Sequence, residues 1–423
     1  MRKDTGEGAG LISRDVGLGV LATAAPVQSK GQVVLVGDFV FPDGDAAASR
    51  IMSIARMFRD LGYCVDVVAN RSARPQDALP SGEGYEFDGV QYTTVTRFRI
   101  RGVRRYLHPL RRLGVYATTL HSVVRSDVRA VIMNLSGSVV HAPAVSTYCN
   151  KRGIPFVGDV GEWYDARQFK RGYFDPVYWV FTALFRFWFP RLRNMITGSR
   201  LLERHFSKSV PNVIRIPASL DVQATPCGDN TPRGRLVLLY AGSPGRKDQI
   251  LEILLGVASL SAAERERVEL RIVGIPEPEL ARILGPAAGI VAQLERNVVL
   301  TGRVPRDRVL DELQGAHFSL LLRPNERYAN AGFPSKVSES LGAGTPVMLN
   351  FTSDLEEYLG DGAACIEIRG NSAEAVSAAI RRALTMTPDE LGAMRRAARA
   401  KAEQFFDHSH FMAACSVLLK RNR

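Results

Sequence analysis

Short apolar runs recur along this chain, each followed by a stretch of helix length, and this alternation constrains the fold more than any other feature. From Gln32 the segment QVVLVGDFVFPDGDAAASRIMSIARMFRDLGYCVDVVA reads as strand, glycine-containing loop, helix and strand. Val33 to Val36 is a continuous apolar run, as a parallel strand covered on both faces requires. Ile51, Ile54, Ala55, Phe58 and Leu61 then recur at helical spacing until Gly62 stops the helix. Further strands are read at Val128 to Asn134, Gly153 to Val160 and Asn194 to Ser199. A second series begins near Val213 and runs through Leu236 to Gly242, Val268 to Gly274, Asn297 to Gly302, His317 to Pro324 and Thr345 to Asn350. The expected fold class is therefore α/β: two Rossmann-like, doubly wound parallel-sheet domains in tandem, facing a central cleft. A length of 423 residues suits two domains. The expected division is a loose tail over residues 1–30, a first domain over 31–209, a second over 210–402, and a terminal helix over 403–423 with the option of returning to the first domain.

Composition removes several alternatives. Hydrophobic residues at 46% and charged residues at 23% exclude wholesale disorder and low-complexity fibres. Five widely spaced cysteines (Cys64, Cys149, Cys227, Cys365, Cys415) with no CxxC pair indicate neither a disulfide framework nor a zinc site, which fits a reducing cytoplasm. No apolar run reaches the ~18 residues of a spanning helix, and Val177 to Phe189 is broken by Arg186. Val16 to Ala25 has some character of a signal sequence, but Asp4, Glu7 and Asp15 are wrong for its positive flank. The formal charge of +12 favours polyanionic surfaces or phosphorylated ligands.

In open α/β sheets ligands bind beyond the carboxyl ends of the strands, and the unusual local sequences fall there. After LVLLY comes AGSPGRKDQI, whose glycines Gly242 and Gly245 permit tight turns while Arg246 and Lys247 place two cations at a helix start. Such a loop can hold a diphosphate, and equally can be a solvated basic turn. It is not a Walker A loop. The stretch RPNERYANAGFPSKVSESLGAGTPV is the most informative: Gly332 and Pro334 open a helix, Lys336 lies in its first turn, and Glu339 follows three positions later. Lys336 can meet phosphate and Glu339 can accept hydrogen bonds from vicinal ribose hydroxyls. A solvated Lys and Glu pair is the plainer alternative.

This stretch resembles the donor motif of the group 1 retaining nucleotide-sugar glycosyltransferases, which have the GT-B fold. Ala331-Gly332-Phe333-Pro334 is followed by SKVS, then Glu339, and later by Gly344 to Val347 as GTPV. The resemblance also covers the glycine loop after the first strand, the IPASLD element, the YAG-plus-basic loop and the LTGRV strand end. It implies a donor site made by Gly44, Arg246, Lys247, Arg303, Val304, Gly332, Phe333, Lys336 and Glu339, with Glu339 on ribose, the two cations on the diphosphate and the backbone near Arg303 and Val304 at the nucleobase. The family's first motif glutamate is Ala331 here, in a GFPSK variant of the motif. That departure motivates the alternative of a non-catalytic nucleotide-binding scaffold. A sugar-nucleotide epimerase is disfavoured by GFPSKVSES, and an NAD oxidoreductase by the lack of GxGxxG after the first strand.

VGDVGEWYDARQF places Asp159 and Glu162 after a strand where the family faces its acceptor, so both are candidate catalytic carboxylates, with Trp163 and Asp165 beside them. The acids as helix caps and the aromatics as packing are the competing reading. Asn134 to His141 is a weaker candidate, with His141 read as structural. No acidic metal-binding DxD arrangement stands out, so neither a metal nor another cofactor is expected. Arg97 to Arg112 carries seven arginines and no acid, interleaved with apolar residues, which suits an anionic membrane surface. RNA is the competing partner, but no RNP, KH or zinc-knuckle pattern supports nucleic acid. The aromatic run Tyr178 to Phe189 is apolar all round and is read as a buried helix. The resulting expectation is a cytoplasmic enzyme, peripheral at the inner membrane face, that transfers sugar to a glycan or polyprenyl-linked acceptor in envelope polysaccharide assembly.

Overall fold

The computed structural model describes residues 29–74, 76, 78–79, 84–95, 114–228, 234–245 and 247–419. The tail before Ser29, the basic segment Arg97 to Arg112, and Arg246 lie outside the described residues.

The first sheet uses β1 (Gln32–Val36), β2 (Cys64–Ala69), β3 (Tyr85–Phe87), β4 (Val90–Thr94), β5 (Val128–Asn134), β6 (Phe156–Val160), β7 (Asn194–Thr197) and β8 (Asn212–Arg215). Their spatial order is β8-β7-β6-β5-β1-β2-β4-β3, parallel except where β3 turns back antiparallel on β4. Alternate residues of β1 feed opposite cores. Val33 and Leu35 pack with Ile51, Ile54 and Phe58 of helix α1 (Ala46–Asp60), while Val34 and Val36 pack with Tyr116, Leu120 and Phe181 on the other face. Burial on both faces is why the strand carries four successive apolar residues rather than an alternating pattern.

The second sheet uses β9 (Leu236–Ala241), β10 (Val268–Val273), β11 (Val298–Gly302), β12 (Phe318–Leu321), β13 (Val347–Leu349) and β14 (Cys365–Glu367). The order β11-β10-β9-β12-β13-β14 is wholly parallel, the Rossmann arrangement with its switch point between β9 and β12. In the first sheet the switch falls between β1 and β5. The loops leaving β1, β5, β6 and β12 line the cleft.

One boundary expectation is corrected. Asn212–Arg215, read as opening the second domain, pairs in parallel with Asn194–Thr197 and is the edge strand of the first sheet. The division therefore falls after Arg215, not at 209/210. At the other end helix α2 (Pro388–Phe405) packs on the second domain, and the chain then recrosses. Cys415 and Leu418 join the core beneath α1, and His408 Nε2 contacts Asp60 Oδ2 at 2.7 Å. The two crossings lie side by side: Leu220 N donates to Phe406 O at 3.0 Å and His408 N donates to Leu220 O at 2.9 Å.

The aromatic run also differs from expectation. Pro176–Ala183 is helical and continues as a π-helical turn over Leu184–Trp188, burying Phe181, Phe185 and Phe189 but exposing Val177, Trp179, Val180 and Phe187. Apolar character all round reveals neither which face has a neighbour nor which has none. Among the described residues no helix is long and apolar enough to cross a membrane.

Candidate functional site

A cavity of about 280 Å³ lies between the domains, lined by the β1 loop and α1 on one wall and by Phe333, Ser335, Ser338 and Glu339 on the other. Helix α3 (Ser335–Gly342) starts at this cavity with Pro334 as N-cap and no side chain capping it. Its first-turn amides and positive end therefore favour an anion there.

Glu339, one turn into α3, lines the cavity with its side chain 26% exposed. Arg306 Nη2 lies 3.7 Å from Glu339 Oε1, and Arg306 Nη1 donates to Ser49 Oγ on α1 at 2.9 Å, so this arginine spans the cleft. Sequence reading missed Arg306, which looks like one more cation in the basic run RVPRDR.

Lys247 forms an ion pair across the cleft with Glu162 Oε1 and lies 5.9 Å from the centroid of the Tyr164 ring. Burial, reinforced by Glu162, holds the Tyr164 hydroxyl well above its ordinary value, so it stays protonated. Gly332 sits against the opposite domain: a Cβ there would approach Gly161 O to 3.3 Å. This close approach brings the segment opened by Gly332 beside Glu162. Phe333 lines the cavity and packs against Tyr358 and Phe406 at 5.7 and 5.5 Å.

Lys336 is anchored. Its ammonium donates to Asp248 Oδ2 at 2.5 Å and to the Tyr240 hydroxyl at 2.7 Å, and lies 4.1 Å from the Tyr240 ring centroid. The Tyr240 hydroxyl donates to Asp248 Oδ2 at 2.7 Å, and Arg323 Nε to Asp248 Oδ1 at 2.9 Å. Burial would raise the Asp248 carboxyl, but Lys336 and Arg323 outweigh it and hold the group at about 2. Burial lowers the Lys336 ammonium, with Asp248 opposing. The chain passes over this ammonium at Gly242, whose φ of +121° disfavours a side chain and where a Cβ would meet Lys336 Cε at 2.8 Å. Asp248, Tyr240 and Arg323 were not foreseen as site residues.

Asp159 is corrected. The carboxylate is fully buried and held by Arg50, whose Nε donates at 2.9 and 3.0 Å and whose Nη2 donates at 2.7 Å, while Asn134 Nδ2 donates at 3.1 Å. Both oxygens are taken, so Asp159 fastens β6 to α1 and Glu162 is the carboxylate that reaches the cleft. Asp165 is a cap, accepting from Arg167 N at 3.0 Å. Trp163 packs at 4.5 Å on Phe185, with Arg327 4.8 Å over its ring. His141 is buried against Tyr116.

The remaining candidates are peripheral. Gly44 is exposed in the loop before α1, where a Cβ would meet Val40 at 2.6 Å. The Arg303 side chain points away to Glu279 at 2.9 Å, and Val304 packs beneath β9 and β10; neither side chain lines the cavity. Ala331 is fully buried, and its carbonyl accepts from Ser199 Oγ at 2.7 Å across the domains. Among the described residues one cluster has metal-ligand proximity, Asp221, Asp407 and His408 at the crossing, and none of the three lines the cavity.

Residues 235–386 match the family described as Glycosyl transferases group 1. No curated protein matches. Among solved structures, sucrose-phosphate synthase from Thermosynechococcus elongatus is similar at TM-score 0.69 with 12% identity, covering 92% of this chain and 98% of that one. HepE from Anabaena, in complex with UDP and glucose, is similar at TM-score 0.65 with 13% identity, covering 92% and 99%. A mutant of TarM from S. aureus, in complex with Fondaparinux, alpha-GlcNAc-glycerol and UDP, is similar at TM-score 0.67 with 10% identity, covering 92% and 100%. The fold is GT-B, and the match of its second domain to the group 1 glycosyl transferases identifies a glycosyltransferase built on that fold.

Proposed function

We propose that this glycosyltransferase moves a sugar, with retention of anomeric configuration, from a nucleoside diphosphate donor to a hydroxyl of a glycan or lipid-linked acceptor in envelope polysaccharide assembly. The observation that carries the reading is the arrangement of opposed charges across the cleft: Glu339 faces Arg306, and Lys247 faces Glu162. Ribose hydroxyls can replace Arg306 at Glu339, and a diphosphate can replace Glu162 at Lys247. Helix α3 starts at the cavity that Glu162 and Glu339 both line. The bond broken joins the anomeric carbon to the diphosphate oxygen; the bond formed joins that carbon to the acceptor oxygen on the face the diphosphate leaves, as retention in one step requires. Lys247 and the positive end of α3 take up the charge of the departing diphosphate without requiring a divalent ion. Glu162, freed from Lys247, orients the acceptor hydroxyl and receives its proton. HepE and TarM, similar in fold, were solved with UDP, which makes UDP the first nucleotide to test.

Ala331 in place of the family's first motif glutamate favours a second reading, a nucleotide-binding scaffold without turnover. Titration with UDP, GDP, ADP and dTDP, with and without magnesium, followed by assay of nucleotide release with candidate acceptors, separates the two. Metal-independent binding of one nucleotide with release supports transfer; binding without release supports the scaffold; no binding removes both. Retention is read from the anomeric coupling of the product by NMR.

Glu339→Ala is expected to weaken nucleotide binding about 10- to 100-fold, since hydrogen bonds to a charged group contribute about 1.5–3 kcal/mol. The matching 2′,3′-dideoxynucleotide should bind both proteins equally. Unchanged affinity in the variant would remove the ribose assignment.

A further inference from the structure

Among the described residues nine large hydrophobic side chains are exposed, and six of them lie between residues 173 and 187. Phe174 is 89% exposed, Tyr173 62%, Phe187 60% and Trp179 56%, with Val177 and Val180 beside them. On the helix, Trp179, Val180, Ala183, Arg186 and Phe187 follow one another at helical spacing along the solvent face. The opposite stripe, Phe181, Phe185 and Phe189, is already committed to the core. The outer stripe is therefore outside the core, and a cluster of this size marks an interaction surface.

Its surroundings define the partner. Lys170, Arg171 and Arg186 are exposed in the same stretch of chain, and Arg191 and Arg193 are exposed just after it. The acid within it, Asp175, caps the helix by accepting from Val177 N at 3.0 Å. Trp179 Nε1 donates to Tyr173 O at 2.8 Å, tying the loop to the helix so that the aromatic surface is formed in advance. Exposed Trp, Tyr and Phe with basic residues and no free acid complement the headgroup level of an anionic bilayer, where aromatic rings sit at the interface and cations meet phosphate.

We propose that this surface, centred on Phe174, Trp179 and Phe187, docks the first domain on an anionic lipid bilayer. Trp163 and Tyr164 connect the inner face of this helix to the cleft: Trp163 packs tilted on Phe185 at 4.5 Å, Tyr164 meets Phe181 edge-on at 4.9 Å, and Tyr164 lines the cavity. A bilayer-bound acceptor would thus present its headgroup beside Glu162. Docking does not depend on the transfer reading, because vesicle binding and nucleotide binding are measured separately.

The test is co-sedimentation of the full chain with phosphatidylcholine vesicles with and without phosphatidylglycerol. The protein is expected to pellet with the anionic vesicles, and Phe174→Ser/Trp179→Ser/Phe187→Ser to lose that binding at least tenfold while keeping its nucleotide affinity and circular dichroism spectrum. A wild-type protein that stays in the supernatant overturns the proposal. So does a variant that pellets like wild type, which would hand binding to another basic segment such as Arg97 to Arg112. Self-association without lipid binding, abolished in the variant, overturns it in favour of a second copy of the chain.

Discussion

Glu162→Gln is expected to lower turnover by about 100-fold or more, the effect of removing a positioned proton acceptor. Nucleotide affinity should stay within a few-fold of wild type or tighten, because the substitution releases Lys247 from its ion pair. This split is what distinguishes an acceptor-side carboxylate from a donor ligand. Size and hydrogen-bonding shape are kept in glutamine, so circular dichroism and thermal unfolding should match wild type. Single-turnover measurement at saturating donor isolates the chemical step. A variant that loses donor affinity in proportion to turnover would place Glu162 on the donor, and one with unchanged turnover would return it to a cap or a solvated face.

Asp159 and Glu162 lie three residues apart after the same apolar run and look equivalent in sequence. Their fates differ because Asp159 is still inside β6 and points into the sheet, where Arg50 holds it; that partner is 109 positions earlier in the chain. Strand limits were legible where apolar runs are continuous, as at Val128–Asn134 and Leu236–Ala241. The domain boundary was not legible, because NVIR at an edge is composed like the first strand of a new sheet and only its pairing with Asn194–Thr197 assigns it. The positions of Glu339 at the cavity and of Lys247 in the cleft could be read because local motifs place them. Arg306, Tyr240 and Asp248 could not, since their roles come from contacts between strands and across domains. The exposed side of the aromatic helix escaped for a related reason: hydrophobicity records what a residue prefers, not whether a neighbour is present.

Asp248 carries the largest expected effect on stability. It is buried with its oxygens committed to Lys336, Tyr240 and Arg323, so Asp248→Ala leaves two cations and a phenol hydroxyl without their acceptor. Breaking a buried pair from one side costs about 3–5 kcal/mol, which should appear as a lower urea midpoint at pH 7. Acid should act on the same group. Its folded value, about 2, lies below the ordinary 3.8, so its contribution is complete above pH 4 and drains away as pH falls towards 2. At about 1.4 kcal/mol per unit, some 2 kcal/mol of the wild-type protein's acid sensitivity belongs to this carboxylate. The variant should lack that share: its urea midpoint should fall less steeply than the wild-type one between pH 4 and pH 2. Equal slopes would show that Asp248 does not hold the charges together. Function follows from the same anchor, because Lys336 is fixed beneath Gly242 at the start of the loop proposed to hold the diphosphate. Asp248→Asn, which preserves shape, should therefore weaken binding of a nucleoside diphosphate more than binding of the corresponding nucleoside, and equal losses would confine Lys336 to a structural role.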